Sequence, residues 1–409
     1  MGRQPELGLA ELESLYGAAK VRPIGHQAAL IDVDICVFDF DRLGGAVKFA
    51  KVLTTLNTTS IDRVADYLGE RGPEQAKLLP PGKLHLGISC YGFNAAPRQV
   101  QRVGLSLKQA IRKSGRSVRV APNVEAALSS AQVTHNQLVG PSGWEILLIK
   151  DADQTLLAQT LKVQDIKAYT KRDRNRPARD AKVGMLPPKL AQIIINLGSG
   201  KIKAESEKTP ECDTNVARVK RHIKDQLLLD PFCGSGVVLQ EAALMGYDSI
   251  GSDISQRMVD YAKTNLDWLR AWPTSPLHKD IKIDFICADA TTFNWPKQVS
   301  FVASETNLGR PFNAAPSQAQ LTSVREDCNK TLKKFLVNIA PQIKSGTRLC
   351  LAIPAWRMAD GHMEHLPLLD SIEVIGYNRV SFRHVSDEQL LYSRPGQIVA
   401  RELLVLTKS

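Results

Sequence analysis

The stretch Asp230-Pro231-Phe232-Cys233-Gly234-Ser235-Gly236 follows three consecutive leucines and precedes an amphipathic run of residues. This pattern predicts a β-strand, a tight glycine turn and an α-helix. Gly234 and Gly236 let the backbone approach a ligand closely, and the first turn of the helix offers unpaired N–H groups. Asp253 closes a second short apolar strand, where its carboxylate can accept hydrogen bonds from both ribose hydroxyls of a nucleoside. The segment therefore predicts an α/β sheet with a nucleoside-cofactor site at one edge.

The acidic residues indicate which nucleoside is bound. The turn lacks the third glycine of the G-x-G-x-x-G dinucleotide signature, which disfavours a nicotinamide cofactor. Asp230 lies at a strand tip, where it would repel a pyrophosphate but attract the sulfonium and ammonium groups of S-adenosylmethionine. Asp289 follows a third strand and can accept the adenine amino group. Three acids in this order favour S-adenosylmethionine over the alternative that they are ordinary helix N-caps. The predicted cofactor-binding residues are Asp230, Pro231, Phe232, Gly234, Gly236, Asp253, Ile254, Asp289 and Ala290.

Length and composition bound the class of protein. A chain of 409 residues with 43% hydrophobic content can bury a large core and is expected to form two or three domains. Its longest apolar runs are too short to cross a membrane, and its first residues do not resemble a signal peptide. The seven cysteines are scattered singly, which disfavours disulfides and a zinc site and favours a reducing cytoplasm. The sequence predicts a cytoplasmic protein without a metal.

The net charge of +11 is distributed unevenly. The first basic cluster contains no acid and consists of Arg98, Arg102, Lys108, Arg112, Lys113, Arg116 and Arg119. The second also contains the acids Asp173 and Asp180, and its basic residues are Lys171, Arg172, Arg174, Arg176, Arg179 and Lys182. Such clusters can be ordinary solvated surface, but two of them outside the cofactor domain favour a polyanionic partner. Since few aromatic residues accompany them, phosphate contacts to structured nucleic acid are expected.

Hydrophobic periodicity divides the chain into a mixed α/β N-terminal part, a basic connector and the cofactor domain. The expected domains are residues 1–165, the linker and helix 166–223, and the cofactor domain 224–409. The N-terminal elements are a helix at 5–16, strands at 28–33 and 43–48, a helix at 61–68, a strand at 83–91, a basic helix at 97–114 and a strand at 117–120. A helix entered through prolines is expected at 185–197. Residues 389–406 predict a terminal antiparallel β-hairpin.

Several segments in this order resemble the THUMP-domain tRNA guanine-N2 methyltransferases that modify guanosine 10. They include Gly2-Arg3-Gln4-Pro5-Glu6, Ile88-Ser89-Cys90-Tyr91, Arg176-Pro177 and the glycine turn. The resemblance spans most of the chain and is strongest in the catalytic half. It implies an N-terminal ferredoxin-like and THUMP module that binds tRNA near its acceptor end, followed by a Rossmann-like class I methyltransferase. The expected reaction is direct methyl transfer to the exocyclic N2 amine of a guanosine. Whether a small activator subunit takes part is not fixed by the sequence.

The loop after the fourth strand departs from the family. The family carries [Asp/Asn]-Pro-Pro-[Tyr/Phe], whereas this chain has Ser304-Glu305-Thr306-Asn307-Leu308-Gly309. In such a loop a side-chain acceptor and a backbone carbonyl hold the two N–H bonds of the amine, and an aromatic ring stacks on the flipped base. Alignment on Gly309 makes Glu305 the acceptor and Leu308 the lid. Alignment on Ser304 makes Asn307 the lid.

The first alignment is preferred, and Glu305, Thr306 and Asn307 are the predicted catalytic residues. The loop lacks the rigidity of proline and the aromatic ring, unless Phe312 or another ring replaces it. The family also opens with a strand before Gly2, which this chain does not show. Two alternatives stay open: an amine methyltransferase of DNA or ribosomal RNA, and a tRNA-binding protein without catalysis.

Overall fold

The computed structural model describes residues 1–35, 37–180, 185–201, 223–272, 277, 280–312 and 314–409. These form two compact units. The first comprises residues 1–5, 22–31 and 46–168, and the second comprises 6–21, 32–45 and 169–409. The expected boundary at residue 165 is close, but the N-terminal helix and the segment 32–45 belong to the second unit. Much of the expected linker, at 181–184 and 202–222, lies outside the described residues, as do Cys36, Lys182 and Cys212.

The first unit is an α+β layer. Its strands are β1 (Val21–Ile24), β2 (Ala28–Ile31), β3 (Lys48–Leu56), β4 (Leu84–Tyr91), β5 (Val118–Val120), β6 (Gly143–Asp151) and β7 (Gln154–Val163). Its helices are α2 (Ile61–Lys77), α3 (Pro97–Lys113) and α4 (Ser130–His135). The main sheet has the order β3-β7-β6-β4-β5, in which β4 runs parallel to β5 and β6. Apolar residues of α2 and α3 pack against this sheet, since Leu68 and Leu107 share a core with Leu86.

The second unit contains the large sheet expected from the glycine turn. Its strands are β8 (Leu227–Asp230), β9 (Asp248–Asp253), β10 (Ile283–Cys287), β11 (Phe301–Glu305), β12 (Arg348–Arg357), β13 (Met363–Glu364), β14 (Tyr377–Arg379), β15 (Leu391–Tyr392) and β16 (Val399–Lys408). Its helices are α1 (Pro5–Tyr16), α5 (Ile166–Arg174), α6 (Pro188–Ser199), α7 (Val237–Leu244), α8 (Gln256–Arg270) and α9 (Gln318–Ile339).

The main path of this sheet is β10-β9-β8-β11-β12-β16-β14. The first five strands are mutually parallel, and β16 is antiparallel to both of its neighbours. The predicted Rossmann-like sheet with a terminal antiparallel hairpin is confirmed, although the first strand of that hairpin, β15, has only two residues. Because β8, β9 and β11 are parallel, their carboxyl ends meet at one edge, where ligands bind in open α/β sheets.

Glu11 explains why α1 belongs to the second unit. Its carboxylate accepts hydrogen bonds from the backbone N–H groups of Gly44 and Gly45, each at 2.9 Å, and from Nδ2 of Asn196 at 2.7 Å. Burial raises the pKa of Glu11 to about 7, although these donors oppose the rise. The two glycines are thereby held in a turn, which is why the strand expected at 43–48 begins only at Lys48.

Other element predictions differ at their ends: the strand expected at 28–33 ends at Ile31, and the helix expected at 185–197 begins at Pro188. The helix expected at 61–68 continues to Lys77 through Pro73, and Ser60 caps its start by accepting from Arg63 N–H. The third predicted strand of the cofactor domain ends at Cys287, two residues before Asp289. Among the described helices, none combines the length and apolar character needed to cross a membrane.

Candidate cofactor and base-binding site

A cavity of about 650 Å³ lies at the carboxyl edge of the second unit's sheet. The three predicted catalytic residues line it, and so do the predicted cofactor-binding residues other than Gly236. Gly236 instead serves helix packing. Its φ is +83°, and a Cβ at this position would lie 2.8 Å from Cβ of Ala262. Gly236 is therefore not a ligand contact as predicted, but lies at the junction between the turn and the helix.

The glycine turn and Asp253 hold each other in place. Gly234 has a φ of +49°, and nothing lies within 4 Å of the position its Cβ would take, so the space above the turn is open to a ligand. Its N–H donates to Oδ2 of Asp253 at 3.0 Å, and Ser255 N–H donates to Oδ1 at 2.9 Å. A carboxylate accepts more hydrogen bonds than these two, so Asp253 keeps capacity for ribose hydroxyls.

Asp230 is the most buried of the three acids. It is 1% exposed, and its oxygen Oδ1 accepts a 2.6 Å hydrogen bond from the hydroxyl of Ser304. Burial raises the pKa of Asp230 to about 7, and the hydrogen bond opposes the rise. A cationic ligand beside this carboxyl would favour its ionised form. The arrangement fits the sulfonium or ammonium of S-adenosylmethionine and does not fit a phosphate.

Asp289 lines the same cavity in a different environment. It is exposed, and the N–H of Thr291 donates to its Oδ1 at 2.8 Å, which lowers its pKa. This carboxylate is therefore ionised and available at neutral pH. Together the three acids and the open turn match the donor set expected for an adenosyl cofactor.

The loop after β11 supports the alignment on Gly309. Ser304 is fully buried and committed to Asp230, whereas Glu305 ends the strand and lines the cavity. Its carboxylate forms an ion pair with Arg401 on β16, through Oε1 and the arginine Nε. Sequence reasoning missed Arg401. The available signal was the adjacent pair Arg401 and Glu402 inside a mostly apolar strand.

Hydrogen bonds replace the prolines that the family uses to stiffen this loop. The N–H of Thr306 donates to the carbonyl of Ala352 at 3.0 Å, and its hydroxyl donates to the same oxygen at 3.3 Å. Oδ1 of Asn307 accepts from the N–H of Gly309 at 3.0 Å. Gly309 has a φ of +74°, a conformation that favours glycine. The loop is therefore fixed without proline.

An aromatic ring also borders the cavity. Phe312 is half-buried and packs partly on the hydrophobic core of the sheet. The guanidinium of Arg310 lies 5.2 Å from the centroid of its ring. Both residues line the cavity, as does Leu308. Phe312 is thus placed where a ring can contact a base, as the sequence analysis proposed.

The first basic cluster is largely a surface of the first unit. Arg98, Arg102, Arg112, Lys113 and Arg119 are exposed, and Lys108 is half-buried. A cavity of about 630 Å³ is lined by Lys83, Lys108, Arg112, Arg116 and Arg119, among others. Arg102 pairs with Asp62 at 2.9 Å.

Arg116 has a structural role. It donates to the carbonyl groups of Ala76, Leu79 and Gly82, so its guanidinium ties down the loop after α2.

The second cluster does not form one surface. Arg172 is 8% exposed and pairs with Glu241, with Nε 2.6 Å from Oε1 and Nη2 3.2 Å from Oε2. Arg176 is 3% exposed, and its Nη2 contacts Sδ of Met185 at 3.5 Å. Burial removes both residues from the predicted RNA surface. Arg174 and Arg179 are exposed.

No group of His, Cys, Asp or Glu side chains within the described ranges is arranged to hold a metal ion.

The strand order and the acids around the glycine turn define a class I, S-adenosylmethionine-dependent methyltransferase domain. Residues 215–360 match the UPF0020 family, described as an RMKL-like methyltransferase domain, and residues 129–264 match the N6_N4_Mtase family of DNA methylases.

Curated relatives agree with the family expected from the sequence. The chain is 29% identical over 150 residues to the tRNA (guanine(10)-N2)-dimethyltransferase of Methanothermobacter thermautotrophicus, which is 36% of this chain and 38% of that protein. It is 32% identical over 111 residues to the enzyme of the same name from Methanocaldococcus jannaschii, which is 27% of this chain and 25% of that protein. The chain thus spans well under half of the length of these relatives. The expected resemblance to tRNA guanine-N2 methyltransferases is confirmed.

A solved structure, TrmN from Thermus thermophilus, aligns over 99% of this chain and 97% of its own, at 16% identity and a TM-score of 0.49.

Proposed function

We propose that this protein methylates the exocyclic N2 amine of a guanosine in tRNA, with S-adenosylmethionine as the methyl donor. The observation that carries the proposal is the position of Glu305. This acid ends the fourth strand of the sheet on the same cavity that is lined by Asp230, Asp253 and Asp289. An amine acceptor and the acids suited to the cofactor therefore share one enclosed space.

The chain's own residues have separate tasks in this reaction. S-adenosylmethionine, when bound, supplies a methyl group activated by its sulfonium. Glu305 accepts one N–H of the guanine amine, and the carbonyl of Thr306 accepts the other, which draws the nitrogen toward tetrahedral geometry. Phe312 contacts the face of the flipped base. Asp230 offsets the positive charge of the donor before transfer. The proton released from the amine needs no specially tuned base.

The tRNA-binding part of the proposal rests on the first unit. The exposed members of the first cluster and Lys108 carry positive charge, and Arg102 pairs with Asp62. The cavity beside β5 is lined by Lys83, Lys108, Arg112, Arg116 and Arg119 and, among the described residues, by no acid. We assign the first unit as the THUMP-type module and the exposed cluster members and Lys108 as phosphate contacts. A cytoplasmic location is part of the same proposal, since the five described cysteines are all free.

The test is transfer of radiolabelled methyl from S-adenosylmethionine to unmodified tRNA transcripts, followed by digestion to nucleosides. Labelled N2-methylguanosine or N2-dimethylguanosine is expected. A transcript with inosine at the modified position is a matched control, because inosine differs from guanosine by the missing amine. Label on another nucleoside or on duplex DNA would redirect the substrate, and the match to DNA methylases makes that comparison necessary.

Transfer that occurs only after addition of an extract of the source organism would indicate a small activator subunit. Binding of tRNA and cofactor without transfer under either condition would instead support a non-catalytic tRNA-binding protein.

A further inference from the structure

We propose that Arg401 is a positioning residue for methyl transfer, which fixes the carboxylate of Glu305 through one oxygen and leaves the other for the substrate amine. This inference rests on the proposed function. The pair is formed by Oε1 of Glu305 and Nε of Arg401, and the two side chains are 16% and 5% exposed. Oε2 has no hydrogen-bond partner within the described part of the chain, and Glu305 borders the cavity. One oxygen is thus held while the other stays available.

The sheet explains how an arginine two strands away reaches this acid. Strand β12 lies between β11 and β16, where Ala352 is the register partner of Glu305 and Pro354 is the partner of Arg401. Because partners at alternate positions share one face of a sheet, these four residues lie on the same side. The small side chain of Ala352 leaves room for the arginine to cross β12. The contact is therefore built into the strand register.

The chemistry of the site requires a cation here. Burial raises the pKa of Glu305, and Arg401 opposes that rise. Arg401 from β16 acts on the charge of Glu305, and Glu305 acts on that of Asp230 from β8, while its partner on β12 carries no charge. The other charged residues that line the cavity are Asp180, Asp253, Asp289 and Arg310. Asp230 supplies an internal comparison, since it is buried with the Ser304 hydroxyl and the Phe232 N–H as donors and without a cation among the groups that shift it, and its pKa is raised to about 7.

Without Arg401, burial would favour the protonated form of Glu305, which presents an O–H to an amine that needs an acceptor. Arginine is suited to this task because its guanidinium does not deprotonate in proteins.

The experiment records methyl transfer to tRNA between about pH 6 and pH 9.5 for the wild type, Arg401→Gln and Arg401→Lys. For Arg401→Gln we expect a loss of about tenfold or more at the low end of this range that shrinks as the pH rises, since a neighbouring opposite charge lowers a carboxyl pKa by about one to three. Arg401→Lys keeps the charge, so its profile should stay close to the wild-type one. A loss that is equal at every pH, or no loss, would overturn the inference.

Arg379→Gln is the matched control. Arg379 pairs with Glu402, the residue next to Arg401 on β16, with Nη2 3.0 Å from Oε1. Neither residue of this pair lines the cavity. The substitution therefore removes a similar ion pair from the same strand and should leave the pH profile in place.

A second variant separates positioning from folding. In Glu305→Gln the acceptor is an amide that does not titrate. Methyl transfer by the double variant Glu305→Gln/Arg401→Gln should therefore lack the pH-dependent loss expected for Arg401→Gln alone. The loss of activity in the double variant should be smaller than the two single losses combined. Additive effects would contradict an action through Glu305. Cofactor affinity by calorimetry verifies that each variant retains its site.

Failure of the proposed function would be seen separately, as a wild type that transfers no methyl to tRNA. In that case the Glu305 carboxyl can be followed by ¹³C NMR, with its signal assigned by Glu305→Gln. A higher pKa for Glu305 in Arg401→Gln than in the wild type is expected. An unchanged pKa would overturn the inference even in an inactive protein.

Discussion

The hydroxyl of Ser304 donates a 2.6 Å hydrogen bond to Oδ1 of Asp230, between the neighbouring parallel strands β11 and β8. Asp230 is the acid expected at the cationic end of the cofactor, and Ser304 immediately precedes the proposed amine acceptor Glu305. The cofactor site and the substrate loop are therefore joined by one buried hydrogen bond. This contact makes the protonation of Asp230 sensitive to the loop. The predictions on the pH dependence of cofactor binding and on Ser304→Ala depend on it.

Cofactor affinity should rise with pH because of Asp230. Its pKa of about 7 without ligand means that the carboxyl is mostly neutral at pH 6 and mostly ionised at pH 8. We expect S-adenosylmethionine to bind about tenfold more tightly at pH 8 than at pH 6, from the ratio of ionised fractions. S-adenosylhomocysteine lacks the sulfonium but keeps the ammonium, so its affinity should change much less if the sulfonium lies beside Asp230 and equally if the ammonium does. Calorimetry of both ligands at both pH values checks this, and affinities that do not change with pH for either ligand would contradict the role of Asp230.

Asp230 makes folding stability decrease as the pH rises, whereas it makes cofactor affinity increase. The pKa of Asp230 in the folded state lies above the usual 3.8, so the folded state binds more protons than the unfolded state between pH 4 and 7. The contribution of this group to stability is thus greatest below pH 4 and is lost as the pH rises through about 7. The cationic cofactor should offset this loss, so the stabilisation that it provides should increase over the same range.

Ser304→Ala removes the donor and should weaken cofactor binding through Asp230. Without the hydroxyl, the pKa of Asp230 rises further, and affinity for S-adenosylmethionine at pH 7 should fall by about 3- to 10-fold, the usual net worth of a single hydrogen bond. The deficit should shrink by pH 9. Ser300→Ala is the control, since Ser300 precedes the same strand and its Oγ accepts from the N–H of Leu227 at 3.0 Å, away from the cavity. If both variants lost affinity equally, Ser304 would have no special role.

The cofactor site could be predicted from the sequence because its signals are local. The strand, the glycine turn and the helix are consecutive, and the acids follow recognisable strand ends. The carboxyl ends of parallel strands lie at one edge of the sheet, whatever conformation the connecting loops adopt. The alignment of the 304–309 loop on Gly309 stays a prediction, with which the positive φ of Gly309 is consistent.

The contacts that the sequence did not reveal join distant residues. Glu305 and Arg401 are 96 positions apart, and nothing local distinguishes their pairing from a surface charge. Arg172 resembles its exposed neighbours, yet its partner Glu241 is 69 positions away on α7. The assignment of α1 to the second unit could not be seen for the same reason, because α1 is attached there through a buried carboxylate.

Substituting the family's proline at Thr306 should destabilise this protein. Thr306→Pro removes the N–H that donates to Ala352 and leaves the carbonyl of that buried residue short of a partner, at a cost of about 1 to 3 kcal/mol. Thr306→Val removes only the hydroxyl and should cost less than about 1.5 kcal/mol. Thermal unfolding of both variants provides the comparison. A proline variant as stable as the wild type would show that the backbone hydrogen bond does not hold the loop.

Glu11 should be essential for the stability of the second unit. Glu11→Leu leaves the N–H groups of Gly44 and Gly45 without an acceptor and should lower the free energy of unfolding by about 2 to 4 kcal/mol. Glu74→Gln is the control, since that side chain is 70% exposed in α2 and should change stability little. Thermal unfolding measures both. Similar melting temperatures for the two variants would contradict the role assigned to Glu11.

Glu11→Gln tests the pH dependence of the same site. The folded pKa of Glu11, about 7, lies above its usual 4.5, so its contribution to stability is full below pH 4.5 and declines as the pH rises through 7. The amide does not titrate, so the variant should lose less stability than the wild type between pH 5 and pH 8. Melting temperatures across this range provide the measurement, and parallel curves would contradict the prediction.

Arg112 and Arg119 should contact tRNA phosphates, whereas Arg116 should not. If each arginine releases counterions on binding, the double variant Arg112→Gln/Arg119→Gln should reduce the slope of log affinity against log salt by about 1.4 to 1.8. Lys51→Gln is a matched control, because Lys51 is exposed on β3, at the opposite edge of the sheet from β5.

Arg116→Gln separates a structural cation from a phosphate contact within the same cavity. It should lower the melting temperature, since several backbone carbonyls lose their donor, and leave the salt slope near the wild-type value. Filter binding at several salt concentrations distinguishes the two outcomes. An unchanged slope in the double variant would place the tRNA surface elsewhere on the protein.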